Sequence, residues 1–272
     1  MLDNHRSRKS SLDIFIAVIL AVTAIPAPAQ WLNVPDTVPK TKDGKPNLDA
    51  PAPRKSDGKP DLSGIWTGDY EYAKRYVRAD QVADLAADFK PGEFPIQPWA
   101  EALSKERTTG GLAWPAAHCL PPGIPMLDLG AAIHPLKIIQ EPGLVIILYE
   151  FFGENRQIFL DGRSLSNDAD PTWLGYSVGR WEGDVLVVDS TGFNGKTWID
   201  VAGHPSTDAL HITERFRRRD FGHLDLQVTI DDPKAYTKPW TVTMPLHLFP
   251  DADLLEFVCN ENEGDVKHMV DK

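Results

Sequence analysis

The feature that most constrains the fold is a pair of alternating runs, HITERFRR and HLDLQVTID, which meet near Asp220-Phe221-Gly222. A two-residue turn there would place Arg217 opposite Leu226. A three-residue loop with Gly222 in the left-handed conformation shifts the pairing by one residue. The longer loop separates apolar from charged side chains, so we predict that register. Glu214 then lies on the apolar face, where a carboxylate must be paired, hydrogen-bonded or protonated.

A second hairpin is predicted in the preceding run, YSVGRWEGDVLVVDST. Its turn is expected at Glu182-Gly183, where glycine supplies a positive φ. This turn would place Arg180 opposite Val185 and Tyr176 opposite Asp189. Tyr176, Arg180 and Asp189 are therefore expected to share one face of the sheet.

Further strand patterns follow one another with short gaps, at Leu136 to Gln140, Leu144 to Phe152, Arg156 to Asp161, Pro239 to Phe249 and Leu254 to Glu261. Sequential strands without intervening helices predict an all-β fold. We expect an antiparallel meander of about nine or ten strands, closed into a single lipocalin-like β-barrel or a curled sheet. Apolar spacing predicts one or two short helices ahead of the sheet, over Ala79 to Lys90 and Pro98 to Arg107.

The N-terminal 60 residues differ in character from the rest. Residues 1–29 combine a basic start, an apolar run from Ile14 to Ile25 and an Ala-Pro-Ala end, which is typical of a secretory signal peptide. Residues 30–60 are rich in Pro, Lys and Asp and repeat the phrase DGKP, which predicts a flexible arm. Residues 61–272 are expected to form the barrel domain. No later apolar run approaches the roughly 20 residues of a membrane span.

Charge and export limit the choice of partners. The chain has a formal net charge of −11, which argues against nucleic acid as a partner. The basic cluster at 215–219 alternates across a strand and is interpreted as a solvated face. We expect a periplasmic or extracellular protein whose partner is a small molecule.

The chain contains two cysteines, Cys119 and Cys259. In an exported protein an even count predicts one disulfide, here closing a loop of about 140 residues. The alternative is a nucleophilic thiol, for which His118 is the only basic neighbour.

Several side chains are candidates for chemistry. Glu214 is either an acid or base with a raised pKa, or half of a buried ion pair with Arg156, Arg180 or Arg218. Tyr176 and Asp189 either orient a ligand or form a cross-strand pair. In the third hairpin, alternation places Glu150 and Arg156 on one face with Leu148, Phe152 and Ile158.

The long connection at 192–210 contains Trp198, Asp200 and His204, residue types that ligand-binding loops often carry. His204 or His211 is a candidate proton shuttle or metal ligand. No metal site is predicted, because the histidine spacing matches no ligand pattern. No cofactor fingerprint is present, since the glycines serve turns.

Five motifs, PDLSGIW, GYSVGRWEGD, TERFRRRD, DDPKAYTKPWTV and LLEFVCNENE, resemble those of a large group of secreted bacterial proteins of uncharacterised function. The resemblance covers most of the mature chain. It implies export and a β-rich body, and it brings no activity that transfers to this sequence.

Two hypotheses from different classes remain open. The first is a secreted acid–base enzyme, a hydrolase, lyase or isomerase, that acts on a small, partly apolar substrate. Its expected catalytic residues are Glu214, Tyr176 and His204, and its expected substrate-binding residues are Arg180, Asp189, Glu150, Arg156, Trp198 and Asp200. The second is a non-catalytic lipocalin-like protein that binds an apolar ligand in the barrel mouth. The hypotheses differ in whether Glu214 lines an open pocket.

Overall fold

A computed structural model describes residues 38–69, 74, 84–109, 114–130, 134–165, 170–250 and 252–261. The expected signal peptide, residues 1–29, lies outside the described residues. Within the described parts of the chain, no helix has the length and apolar character needed to cross a membrane.

Nine strands form the body of the protein: β1 Gly64–Gly68, β2 Leu136–Glu141, β3 Leu144–Tyr149, β4 Asn155–Phe159, β5 Tyr176–Glu182, β6 Val185–Thr191, β7 His211–Arg218, β8 His223–Asp231 and β9 Trp240–Leu248. Two α-helices, α1 Pro98–Thr109 and α2 Met126–Leu129, accompany them. Short 3-10 turns occupy Leu85–Asp88, Pro115–His118 and Phe151–Gly153. The predicted helix from Pro98 is confirmed. The other is only a 3-10 turn in its described part.

The strands close into one barrel in chain order, with β1 hydrogen-bonded to β9, so the predicted all-β barrel is confirmed. One connection differs from the expected meander, because β4 and β5 run parallel. Residues 160–175 separate these two strands. A short hairpin turn reverses the chain, whereas a longer crossover lets the next strand start from the same end.

The pairing of β7 with β8 confirms the predicted register, with Phe216 opposite Leu226 and Glu214 opposite Val228. The left-handed conformation predicted for Gly222 is wrong, because Gly222 does not adopt a positive φ. A Cβ at this position would instead lie 2.6 Å from the Cβ of Leu48. Gly222 is therefore needed for the close approach of the N-terminal segment.

The hairpin formed by β5 and β6 has a different register from the predicted one. Arg180 lies opposite Val187 and Tyr176 opposite Thr191, so the pairing is displaced by two residues. The turn falls at Gly183-Asp184, and Gly183 has the positive φ of 62°. A displacement by two leaves each residue on its predicted face, and Arg180 shows that this face is the outer one because its side chain is exposed.

Side chains fill the barrel interior. The largest buried members include Trp66, Ile138, Ile147, Ile158, Leu186 and Phe216. A gap lined by apolar side chains, among them Ile138, Ile158 and Phe216, does not admit a water-sized sphere. The interior around these side chains is therefore a packed core, as in other small barrels.

Part of the segment expected to be a flexible arm has defined structure. Residues 38–60 contain two turns closed by the bridges Lys40 with Pro46 and Arg54 with Pro60. Each copy of the repeated DGKP phrase lies in one of these turns. The Arg54 guanidinium donates to both carboxylate oxygens of Asp184, at 2.9 and 2.6 Å, which ties the segment to the barrel.

The predicted disulfide between Cys119 and Cys259 is present, with a Cα–Cα distance of 5.7 Å. It joins the 3-10 turn at Pro115–His118 to the C-terminal segment. The strand predicted at Leu254 to Glu261 is absent. Because β9 is already paired with both β8 and β1, the closed barrel offers no edge for another strand there.

Replacing Cys119 and Cys259 together by alanine should lower the free energy of unfolding by about 3 to 5 kcal/mol, since the disulfide closes a long loop. Chemical denaturation of the variant and of the parent measures this difference. A thiol titration of the unreduced parent provides the check, because two reactive thiols would show that the disulfide does not form.

Candidate functional site

Glu214 lies inside the barrel and has no exposed surface. Its carboxylate accepts hydrogen bonds from Arg156 of β4, with Nη1 donating to Oε1 at 2.8 Å and Nη2 donating to Oε2. This is a bidentate ion pair, the strongest arrangement that these two groups form. Of the partners proposed for Glu214, Arg156 is confirmed.

The remaining guanidinium donors of Arg156 are directed at two buried serines. Nε donates to Ser177 Oγ at 3.0 Å, and Nη2 donates to Ser190 Oγ at 2.8 Å. Ser177 and Ser190 are direct partners on β5 and β6, and their hydroxyls lie 2.9 Å apart. Each of the three guanidinium nitrogens therefore donates at least one hydrogen bond, which offsets the cost of burying the charge.

A second carboxyl group, from Asp128 of α2, completes this buried cluster. Its Oδ1 accepts a hydrogen bond of 2.6 Å from Tyr149, and its Oδ2 lies 3.9 Å from Nη1 of Arg156. Among the described residues Oδ2 has no hydrogen-bond partner. Burial and the nearby Glu214 raise the pKa of Asp128 to about 8. Asp128 therefore retains its proton at neutral pH, which leaves one carboxylate balancing one guanidinium.

The buried cluster of Asp128, Tyr149, Arg156, Ser177, Ser190 and Glu214 is sealed from solvent, since no member exceeds 3% exposure. Burial, followed by the charge of Asp128, also raises the pKa of Tyr149 well above its usual value. With no open pocket at Glu214, the geometry matches the buried ion pair rather than the exposed acid or base.

Tyr176, Arg180 and Asp189 do not join Glu214, because they lie on the outer face of the barrel. Arg180 pairs with Asp189 and Glu182, and Tyr176 accepts a hydrogen bond of 2.9 Å from Arg163. The expected site combining these residues with Glu214 is therefore wrong. Alternation grouped them correctly, but only the closed barrel determines which face is inside.

Asp189 is the centre of a smaller network on that outer face. Its Oδ1 accepts from Thr213 at 2.8 Å and is 3.1 Å from His211 Nε2. Partial burial opposes ionisation, but the hydrogen bonds from Thr213, Arg180 and His211 prevail and lower the pKa of Asp189. The cross-strand pair considered for Tyr176 and Asp189 is therefore wrong, because Tyr176 lies opposite Thr191 and Asp189 contacts Arg180, Thr213 and His211 instead.

Glu150 and Arg156 are also separated. Arg156 pairs with Ile147, and Leu148 is opposite Asn155, so Leu148 and Arg156 occupy different faces. Glu150 follows the end of β3, where it accepts a hydrogen bond of 2.9 Å from Leu255 N. The expected shared face is wrong because the 3-10 turn begins directly after Glu150 and ends the alternation.

The connection at 192–210 brings together two of its predicted residues. Asp200 is fully buried, and its Oδ2 lies 2.7 Å from His204 Nδ1. The same carboxylate accepts backbone hydrogen bonds from Leu85 at 2.8 Å and from His204 at 3.2 Å. Asp200 is thus held in place from both sides and orients the His204 ring.

The His204 ring lines a cleft of about 510 Å³ beside α1. Phe94 and Ile96 form its apolar wall, and Phe94 lies 4.9 Å from the His204 ring between centroids. The remaining lining residues are Gly92, Glu101, Ser104 and Lys105. Trp198 is not among them. Its side chain is buried, and the Arg107 guanidinium lies 4.6 Å from the centroid of its ring.

Asp84 adds a second carboxylate, with its Oδ1 at 4.0 Å from His204 Nδ1. One ligand atom from each of Asp84, Asp200 and His204 lies within 4.8 Å of the other two, close enough to approach one cation. Both carboxylate oxygens of Asp200 already accept hydrogen bonds from backbone N–H groups, however, in addition to the contact with His204. The arrangement as it stands is that of an oriented histidine with access to a cleft.

Comparison of the chain with protein-family models, curated proteins and solved structures finds no match. The assignment of function therefore depends on the geometry described above.

Sequence reasoning missed Asp128, Tyr149 and the wall of the cleft. Asp128 lies in the run MLDL, where an aspartate among apolar residues was an available indication of a buried, partnered carboxyl group. Phe94 and Ser104 carried no such pattern, because their positions depend on how α1 and its preceding loop pack on the connection at 192–210.

Replacing Glu214 by alanine should lower the free energy of unfolding by about 3 to 5 kcal/mol, because Arg156 would remain buried without its counter-charge. Glu182→Ala is the matched control. It removes a glutamate that also pairs with two arginines, but on the exposed surface, so little change is expected. Equal effects of the two substitutions in chemical denaturation would contradict the assignment of Glu214 to the core.

Replacing Asp128 by asparagine should remove a specific pH dependence of stability. In the folded state the pKa of Asp128 is about 8, against a usual value of 3.8. Between these values the unfolded chain loses this proton while the folded protein keeps it. The contribution of Asp128 to the free energy of unfolding therefore falls as pH rises from about 4 to about 8 and then levels off.

The free energy of unfolding should be measured from pH 4 to 9. Relative to the parent, that of Asp128→Asn should increase as the pH rises from about 4 to about 8. Asp170→Asn, at an exposed position, serves as the control and should follow the parent. Parallel curves for Asp128→Asn and the parent would show that Asp128 ionises normally in the folded protein.

Proposed function

We propose that the chain is a secreted enzyme that performs acid–base chemistry on a small, partly apolar molecule in the cleft beside α1. The observation that carries this proposal is the pair of Asp200 and His204, joined at 2.7 Å with the imidazole lining the cleft. A buried carboxylate behind a histidine is the arrangement by which many enzymes fix its tautomer and orientation.

The proposed roles follow from the atoms. An ionised Asp200 carboxylate only accepts hydrogen bonds, so the shared proton belongs to Nδ1 of His204. Nε2 then carries a lone pair and is the basic atom for a substrate proton. When Nε2 takes that proton, the charge of Asp200 stabilises the imidazolium. His204 is thus the proposed catalytic residue and Asp200 a positioning residue.

The walls of the cleft support a substrate with both apolar and polar parts. Phe94 and Ile96 provide apolar contact on one side. Lys105 and Glu101, paired at 2.6 Å on α1, and Ser104 provide polar groups on the other. This division agrees with the partly apolar substrate expected from the sequence, and it leaves open whether the reaction is a hydrolysis, an elimination or an isomerisation.

The disulfide supports the proposed export, since disulfides form and persist in oxidising compartments such as the periplasm or the extracellular space. The alternative of a lipocalin-like binding protein has less support. An apolar ligand has no room among the interior side chains that line the packed gap.

Replacing His204 by glutamine should reduce turnover by about 100-fold or more, the usual effect of losing a general acid or base. The assay is a screen of the full chain against small esters, lactones and α-acidic carbonyl compounds, followed by kinetics on each hit. His134→Gln, at a histidine that does not line the cleft and packs against Phe151 and Phe257, is the control and should retain full activity.

Asp200→Asn is the second variant. It should lower kcat and change the pH profile while KM remains similar, because it alters the tautomer of His204 and leaves the cleft walls unchanged. Turnover by His204→Gln at the parental rate would overturn the proposal. A ligand that binds in the cleft of both proteins without reaction would favour the binding protein instead.

A further inference from the structure

The N-terminal segment meets the barrel at the loop between β7 and β8. The backbone N–H groups of Phe221 and Gly222 donate to the carbonyls of Ala50 and Leu48, both at 2.7 Å. Asp49 lies between these two acceptors in the chain. Its backbone is therefore fixed beside the loop, although its carboxylate is exposed.

Three potential ligands converge at this contact. His223 Nδ1 lies 2.6 Å from Asp220 Oδ1 and 3.9 Å from Asp49 Oδ1. One ligand atom from each of the three residues lies within 4.8 Å of the other two. Asp220 Oδ1 also accepts a hydrogen bond of 3.1 Å from Gly222 N, which holds that carboxylate towards the contact.

A second imidazole borders the cluster. His247 is the direct partner of His223 on β9, and their ring centroids are 5.2 Å apart. Nε2 of His247 lies 3.3 Å from Asp69 Oδ2, so a carboxylate also orients this ring. The pairing limits how far the His223 ring can rotate and keeps it beside Asp220.

The local charge favours a cation. Among the described residues, Asp49 and Asp220 form no ion pair with a lysine or arginine, and His223 is the only basic side chain that each contacts within 4.0 Å. Arg218 directs its guanidinium at the backbone carbonyls of Asp220, Phe221 and Asp61. Two carboxylates therefore face a single imidazole.

We propose that Asp49, Asp220 and His223 bind one divalent transition-metal ion of the zinc type, which clasps the N-terminal segment to the barrel. Zinc binds imidazole nitrogen and carboxylate oxygen at about 2.0 to 2.2 Å, which sets neighbouring ligand atoms about 3.4 Å apart. Binding would therefore replace the 2.6 Å hydrogen bond between Asp220 and His223 with a slightly longer separation and draw Asp49 closer from 3.9 Å. The imidazole disfavours magnesium and calcium, which prefer oxygen ligands. The site is separate from the cleft and does not depend on the proposed function.

Isothermal titration of the metal-free full chain with Zn²⁺ tests this site. One equivalent should bind, and His223→Gln and Asp49→Ala should each weaken binding by about 10-fold or more. Asp43→Ala removes another exposed aspartate of the same segment and is the matched control. His204→Gln tests the other cluster, and both of these variants should bind Zn²⁺ like the parent.

Limited proteolysis provides a readout of the clasp itself. Zn²⁺ should slow cleavage within residues 38–60 of the parent and have no such effect on Asp49→Ala, whose exposed side chain is not needed for folding. Absence of Zn²⁺ binding by the parent would overturn the proposal. So would binding that survives His223→Gln, that is lost in His204→Gln, or that leaves proteolysis unchanged.

Discussion

A guanidinium inside a closed barrel needs a counter-charge and hydrogen-bond acceptors, and the structure depends on how Arg156 finds them. Glu214 of β7, Ser177 of β5 and Ser190 of β6 each accept from it, while Asp128 of α2 lies against its other side. A register slip of one residue in any of these strands would turn its side chain outward. The hydrogen bonds of Arg156 are therefore compatible with one register of β4, β5, β6 and β7. The apolar side chains alone would specify that register less strictly.

Because buried charges need partners, the residues that stabilise the barrel are not the residues proposed for catalysis. Charges inside the barrel are neutralised and sealed, so they hold the strands in register and have no access to a substrate. The oriented histidine instead lies outside the sheet, where a long connection and α1 form a cleft. Small barrels with filled interiors place ligand contacts on their loops for this reason. The disulfide and the ordered N-terminal segment stabilise other parts of the surface.

Alternation along the strands predicted a large part of the fold. It placed Glu214 on the apolar face and paired Phe216 of β7 with Leu226 of β8, although the loop conformation assumed for Gly222 was wrong. It could not decide which face of β5 is inside, since both faces mix polar and apolar residues. The parallel pairing of β4 with β5 and the cleft depend on long-range packing, which local patterns do not encode. His204 and Asp200 were recognised singly, and only the folded loop joins them.

The barrel interior is sealed around its charges, whereas the cleft beside α1 is open. The most direct measurement is exchange of arginine side-chain protons with D2O, followed by NMR at low temperature. The guanidinium protons of Arg156 should exchange only through global unfolding, whereas those of the exposed Arg163 and Arg180 should exchange within the dead time. Exchange of Arg156 at the rate of Arg180 would contradict the account, because it would show that solvent reaches Glu214.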